Sequence, residues 1–71
     1  MVNTNKLRGI IAEKGLSQAK IAKILGVTPK TFYSKMSKRV FDSDEIEVII
    51  STLQIPKEAC MDIFFAPDVT Q

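Results

Sequence analysis

The fold of this chain is most constrained by the segment 17–36, SQAKIAKILGVTPKTFYSKM, which predicts two short helices joined by a tight turn. Ser17 can cap the first helix by accepting a hydrogen bond from a backbone N–H of the first turn. Gly26 supplies the left-handed backbone that ends a helix within one residue. Thr28 and Pro29 follow as N-cap and first residue of the second helix, where proline loses no hydrogen bond.

The apolar residues of this segment give each helix one inward face. Ile21, Ala22 and Leu25 form a stripe on the first helix, and Phe32 and Met36 lie four apart on the second. The small alanine lets the two helices cross closely. Together with the glycine turn, this pattern predicts a helix-turn-helix, whose second helix can enter the major groove of DNA.

Charge is distributed unevenly along the chain. Residues 1–39 hold nine of the ten basic residues and one of the eight acidic residues, a net charge of +8, whereas residues 40–71 carry −6. Lysines that merely solvate helix surfaces would not explain why the segment 17–36 contains no acid. The asymmetry therefore indicates a polyanion as partner for one face of the protein.

Length and composition limit the class of protein. A chain of 71 residues forms one domain, and its 45% hydrophobic content favours a packed core over disorder. No apolar run approaches the ~20 residues of a membrane span, and no signal peptide is recognisable. A single cysteine cannot form an internal disulfide, which predicts that the protein resides in a reducing cytoplasm. Together with the absence of histidine, it argues against zinc sites and nucleophile–base pairs. We expect no enzymatic activity, cofactor, metal or small-molecule ligand.

Helices are also predicted on both sides of the central segment, which gives an all-α domain of five helices. The first begins at a cap on Asn3 or Thr4 and ends near Lys14, with Gly15 past its end. After the central pair, Val40 and Phe41 are expected to anchor a loop to the core.

The fourth helix begins at Asp42 or Ser43, and Asp42 with Glu45 resembles a capping box. Its apolar residues lie almost all round, which predicts the central, most buried helix, although the β-branched run could also form a strand. The acidic residues at its start, Asp42, Asp44, Glu45 and Glu47, could bind a divalent cation, but capping and the helix dipole explain them more simply.

The fifth helix opens at Pro56 and ends at Pro67, with residues 66–71 expected to fray. Its apolar face contains Cys60 as a core residue. Phe64 and Phe65 are adjacent, so a helix cannot bury both against one core face. One of them is a candidate dimer contact, with Met61 as a neighbour; alternatively, the tail folds back over Phe65.

The segment 17–36 is similar at nearly every position to the helix-turn-helix of phage-repressor-type regulators, the Cro/cI-like family. The later segments FDSDEI (41–46) and IPKEACMDIFF (55–65) resemble small phage-associated members, so the likeness covers about residues 3–65. It implies a compact five-helix fold and sequence-specific binding to an operator. Lys35 departs from the family, which places an apolar residue there. Either its stem packs while its ammonium reaches a phosphate, or Met36 fills that site.

Groove geometry assigns the DNA contacts. With Phe32 and Met36 inward, the residues expected to meet bases are Thr28, Lys30, Tyr33 and Ser34. Lys30 can donate to guanine, but a plain phosphate contact explains it equally well, and Tyr33 could instead pack on the first helix of the motif. The expected contacts to the DNA backbone are Ser17, Gln18, Thr31, Lys35, Ser37, Lys38 and Arg39.

These observations predict a transcriptional regulator that acts as a repressor by occupying a near-palindromic operator. A homodimer would place two recognition helices in successive major grooves, about 34 Å apart. The alternative is a protein-interaction module, such as an antirepressor or assembly factor, that has kept the scaffold for another use.

Overall fold

Five helices make up the computed structural model, which describes residues 1–65 of the chain. They are α1 (Thr4–Glu13), α2 (Gln18–Leu25), α3 (Pro29–Lys38), α4 (Ser43–Leu53) and α5 (Lys57–Phe64). Residues 1–65 contain no strand, so the β-branched run of α4 is helical and the all-α prediction is confirmed. α5 ends at Phe64, before the end predicted at Pro67, and the prediction of fraying at 66–71 lies outside the described residues.

Each of the first four helices begins at a residue whose side chain can cap it, as the sequence predicts. The side chains of Asn3, Ser17 and Thr28 each accept from the backbone N–H three residues later, at 3.1, 3.1 and 3.2 Å. At α4, the backbone N–H of Asp42 donates to Glu45 Oε1 at 2.9 Å, which is the return bond of a capping box. These bonds satisfy N–H groups that a helix start otherwise leaves without a partner.

The first four helices end in one common geometry. A left-handed residue follows each helix, and the next N–H donates to the carbonyl five residues earlier at 3.0–3.2 Å. Gly15 and Gly26 hold this position after α1 and α2, as predicted. Arg39 (φ 62°) and Gln54 (φ 54°) occupy the left-handed position after α3 and α4, where no glycine in the sequence indicates the turn.

One hydrophobic core joins all five helices. α2 packs against both α3 and α4, and α1 packs against α5. The fully buried large side chains come from every helix: Leu7, Ile11, Ile21, Phe32, Ile49, Leu53 and Ile63. The ring of Phe32 also meets that of Phe41, with centroids 5.6 Å apart, so the α3–α4 loop is fixed to the core.

Two sequence predictions about the second half of the chain need correction. Val48 is exposed, so α4 is buried on the side of Ile49 and Leu53 and is not the all-round buried helix expected. The helix that packs between two others is α2. In the α3–α4 loop, Phe41 is buried but Val40 is exposed, so one residue rather than two anchors the loop.

The residues before α1 fasten the ends of two other helices. The Val2 N–H donates to the Arg39 carbonyl at 3.1 Å, and Arg39 Nε donates back to the Val2 carbonyl at 3.1 Å. The Asn3 N–H donates to the Ile63 carbonyl at 2.6 Å. Val2 itself is buried in the core. This N-terminal clasp fixes the C-terminal end of α3 against the α1–α5 half of the domain.

Candidate nucleic-acid interface

The orientation of α3 is set by its buried face. Phe32 and Met36 are both buried, so Met36 fills the inward position and the ambiguity between Met36 and Lys35 is resolved. A three-residue turn, residues 26–28, connects α3 to α2. The opposite face of α3 is exposed to solvent and contains Lys30, Thr31, Ser34, Ser37 and Lys38, all of them predicted site residues.

A shallow groove of about 480 Å³ runs along this exposed face. It is lined by Lys30, Thr31, Ser34, Lys35, Lys38 and Val40. Three ammonium groups and two hydroxyls therefore share one concave surface, together with a single apolar side chain. Such a set can donate hydrogen bonds to phosphate oxygens or to base edges. Val40 is the one lining residue that the sequence did not suggest, because its place depends on how the loop leaves α3.

The hydroxyls at the start of α3 are already linked to each other. Thr28 Oγ1 accepts from the Thr31 N–H and donates to Thr31 Oγ1 at 3.0 Å. The two hydroxyls share one hydrogen bond, which leaves one hydroxyl proton of the pair for an outside acceptor.

Lys35 differs from the other lysines of the groove because its charge is paired. Its Nζ lies 3.2 Å from Glu45 Oε1 and 4.0 Å from Asp42 Oδ2, and its side chain is only 25% exposed. The sequence suggested a phosphate contact for Lys35. In the structure its ammonium instead meets the first turn of α4, a contact between two helices that no local pattern announces.

Arg39 also has a role that the sequence did not reveal. Its backbone forms the left-handed end of α3, and its Nε belongs to the N-terminal clasp with Val2. Its side chain is partly buried as a result. Of the two basic residues at the end of α3, Lys38 is the more exposed and the more available for a phosphate.

The remaining predicted contacts lie at the start of α2 and beside Phe32. Ser17 Oγ caps α2 and accepts from the Lys20 N–H, so its own proton remains for an outside acceptor. Gln18, the first residue of α2, is partly buried. Tyr33 is 50% exposed, and its ring meets the edge of Phe32 at 6.4 Å between centroids.

The candidate dimer contacts separate into one core residue and two surface residues. Phe64 is 3% exposed and belongs to the core, so Phe65 is the one of the two adjacent rings that stays a dimer candidate. Met61 and Phe65 are 63% and 58% exposed. The alternative in which the tail covers Phe65 involves residues outside the described part of the chain.

Residues 1–65 contain no group of three or more His, Cys, Asp or Glu side chains placed to hold a metal ion. Among the same residues, no helix has the length and apolar character that crossing a membrane requires. Two of the acidic residues at the start of α4, Asp42 and Glu45, instead form the capping box and pair with Lys35.

The functional assignment depends on the residues of the α3 face alone. Comparison of the chain with protein-family models, with curated proteins and with solved structures finds no match.

Proposed function

We propose that this protein is a sequence-specific DNA-binding transcriptional regulator, a phage or prophage repressor of the Cro/cI-like type that acts by occupying its operator. The observation that carries the proposal is the exposed face of α3, where three lysines and two hydroxyls line one groove. On the opposite face, the buried Phe32 and Met36 fix the helix to the core. A rigid helix with such a face suits direct reading of base edges.

The dimensions of α3 fit a DNA groove. An α-helix with its side chains is about 10–12 Å in diameter, and the major groove of B-DNA is about 12 Å wide, so α3 can lie in it over its length of about 15 Å. Recognition helices contact bases mainly through their N-terminal residues. We therefore expect Thr28, Lys30 and Ser34 near the base edges, with Lys30 as a donor to guanine O6 and N7, and Thr31 at the DNA backbone. Tyr33 lies at the margin of that contact.

Contacts to phosphates would flank the reading face. Ser17 and Gln18 lie at the N-terminus of α2, where backbone N–H groups and the helix dipole favour an anion. Ser37 and Lys38 lie at the other end of α3 and would meet the backbone there. Lys38 supplies charge, and each neutralised phosphate steepens the log–log dependence of affinity on salt by about 0.9.

A homodimer would match a near-palindromic operator. Two copies related by a two-fold axis would place their α3 helices about 34 Å apart in successive major grooves. The exposed Met61 and Phe65 supply an apolar surface for that contact, in the half of the chain that carries negative charge. Bound at a promoter, such a dimer would block polymerase or a competing regulator.

The experiment that tests this function is selection from a random duplex library with the purified protein at about physiological salt, followed by sequencing of the bound pool. We expect enrichment of an inverted repeat whose half-sites lie about 10 base pairs apart, centre to centre. Far-ultraviolet circular dichroism on the same sample controls for folding. A folded, helical protein that enriches no sequence would contradict the proposal.

A second candidate is a protein-interaction module, such as an antirepressor or assembly factor. It is favoured by the exposure of Met61 and Phe65, since large apolar side chains on a surface often mark a protein contact. The two candidates differ in their response to a competing polyanion. Retardation of a selected DNA duplex that survives excess heparin supports the regulator, whereas complete competition by heparin leaves the interaction module as the better explanation.

A further inference from the structure

The groove on α3 has one lysine that is not equivalent to the others. Lys30 and Lys38 are exposed, but the side chain of Lys35 is 25% exposed and its Nζ lies 3.2 Å from Glu45 Oε1. The side chain of Glu45 is only 14% exposed, so water screens this pair less than it would a surface pair. A second carboxylate, that of Asp42, lies 4.0 Å from the same ammonium.

The carboxylate of Glu45 is fixed in position by the start of α4. The same Oε1 that meets Lys35 accepts from the backbone N–H of Asp42 at 2.9 Å. Glu45 also lies in the first turn of α4, where the helix dipole stabilises negative charge. The capping box thus holds an acceptor at the edge of the groove.

We infer that Glu45 is a positioning residue that withholds Lys35 from DNA phosphates and so limits the sequence-independent affinity of the α3 face. The inference rests on the proposed function. Phosphate neutralisation supplies nearly all of the sequence-independent affinity, and each contact contributes about 0.9 to the salt slope. With Lys35 paired to Glu45, the groove presents two available ammonium groups rather than three. The first turn of α4 then forms a negative boundary beside the reading face.

The substitution that tests this inference is Glu45→Gln, because the amide oxygen can still accept from the Asp42 N–H while the charge is lost. Binding to a random-sequence duplex is followed by fluorescence anisotropy between about 50 and 200 mM salt. We expect the slope to steepen by about 0.9, so that the fall in affinity between these two salt concentrations becomes about 3.5-fold larger than in the parent protein. The matched control is Glu47→Gln, which removes one exposed charge from the same helix without breaking an ion pair to Lys35, and which should leave the slope unchanged.

A second pair of variants keeps the inference testable if Glu45→Gln folds poorly. Lys38→Gln should reduce the slope by about 0.9, whereas Lys35→Gln should leave it as in the parent protein. Equal slopes for Glu45→Gln and Glu47→Gln, or equal losses for Lys35→Gln and Lys38→Gln, would overturn the inference and leave the proposed function standing. If the folded parent protein and its variants all fail to bind the selected and the random duplex, both proposals are overturned.

Discussion

At the scale of single residues, the basic side chains of α3 divide into three kinds. Lys30 is exposed in the first turn, Lys35 is paired with Glu45, and Lys38 is exposed in the last turn. Arg39, one residue further, is partly used by its bond to Val2. A count of charges would treat them alike, but their partners predict different contributions to DNA binding.

Lys30→Ala should weaken binding to the selected operator by about 1–3 kcal/mol and relax the preference at one base pair. The physical reason is the loss of a donor to guanine at the end of the helix that meets base edges. The measurement is a titration of the variant against the operator, its single-base variants and a random duplex.

The matched control for Lys30 is Lys38→Ala, which removes an equal charge from the opposite end of α3. That variant should bind every duplex less tightly by a similar factor. If Lys30→Ala also weakens operator and random DNA equally, Lys30 contacts a phosphate and not a base.

The buried face of α3 could be predicted from the sequence because Phe32 and Met36 are four residues apart and both apolar. It left Lys35 open because a lysine next to an inward position is compatible with two rotations of the helix. The pairing of Lys35 with Glu45 joins two helices across a loop, and local periodicity carries no information on such contacts. Phe65 was recognised as a surface candidate, but only packing could separate it from Phe64.

At the scale of elements, the ends of the helices illustrate what residue type does and does not encode. Gly15 and Gly26 indicated in the sequence where α1 and α2 end, because glycine adopts positive φ without a steric penalty. Arg39 and Gln54 have no such preference, and their φ values of 62° and 54° result from the hydrogen bonds and packing around them. The left-handed conformation costs an L-residue about 1–2 kcal/mol, so these two helix ends are under strain.

Gln54→Gly should therefore raise the free energy of unfolding by about 1 kcal/mol, since the side chain of Gln54 is exposed and glycine removes the strain. In a domain of this size, that gain corresponds to an increase of about 4–8 °C in Tm. Thermal and urea unfolding followed by circular dichroism would measure it.

Arg39→Gly provides the comparison, because it relieves the same strain but loses the Nε bond to Val2. It should gain less stability than Gln54→Gly or lose some. A Gln54→Gly variant that is less stable than the parent would indicate that the left-handed residue is not strained.

At the scale of the whole molecule, positive and negative charge separate along the chain. Nine of the ten basic residues lie in residues 1–39, which contain α3, and the exposed Met61 and Phe65 lie in residues 40–71, which carry net negative charge. A dimer formed through Met61 and Phe65 would therefore use residues from the part of the sequence that carries net negative charge.

Phe65→Ser should abolish dimerisation while leaving Tm within a few degrees of the parent protein, since the ring is exposed in the folded chain and its loss leaves no cavity. Sedimentation equilibrium with and without operator DNA is the measurement. Val48→Ser, which changes an exposed apolar residue of α4, is the control and should leave association unchanged. Equal association of Phe65→Ser and the parent would exclude this surface as the dimer contact.

The N-terminal clasp has a consequence for the order in which the domain can be completed during synthesis. Val2 needs the carbonyl of Arg39, and Asn3 needs that of Ile63, so the clasp is complete only after α5 has been synthesised. α2 and α3 are neighbours in sequence and can pack early, because little loop entropy opposes contacts between adjacent helices. The packing of α1 against α5 can form only after α5 has been synthesised. A nascent chain released before Ile63 would have its central helices without the contacts that close the domain around them.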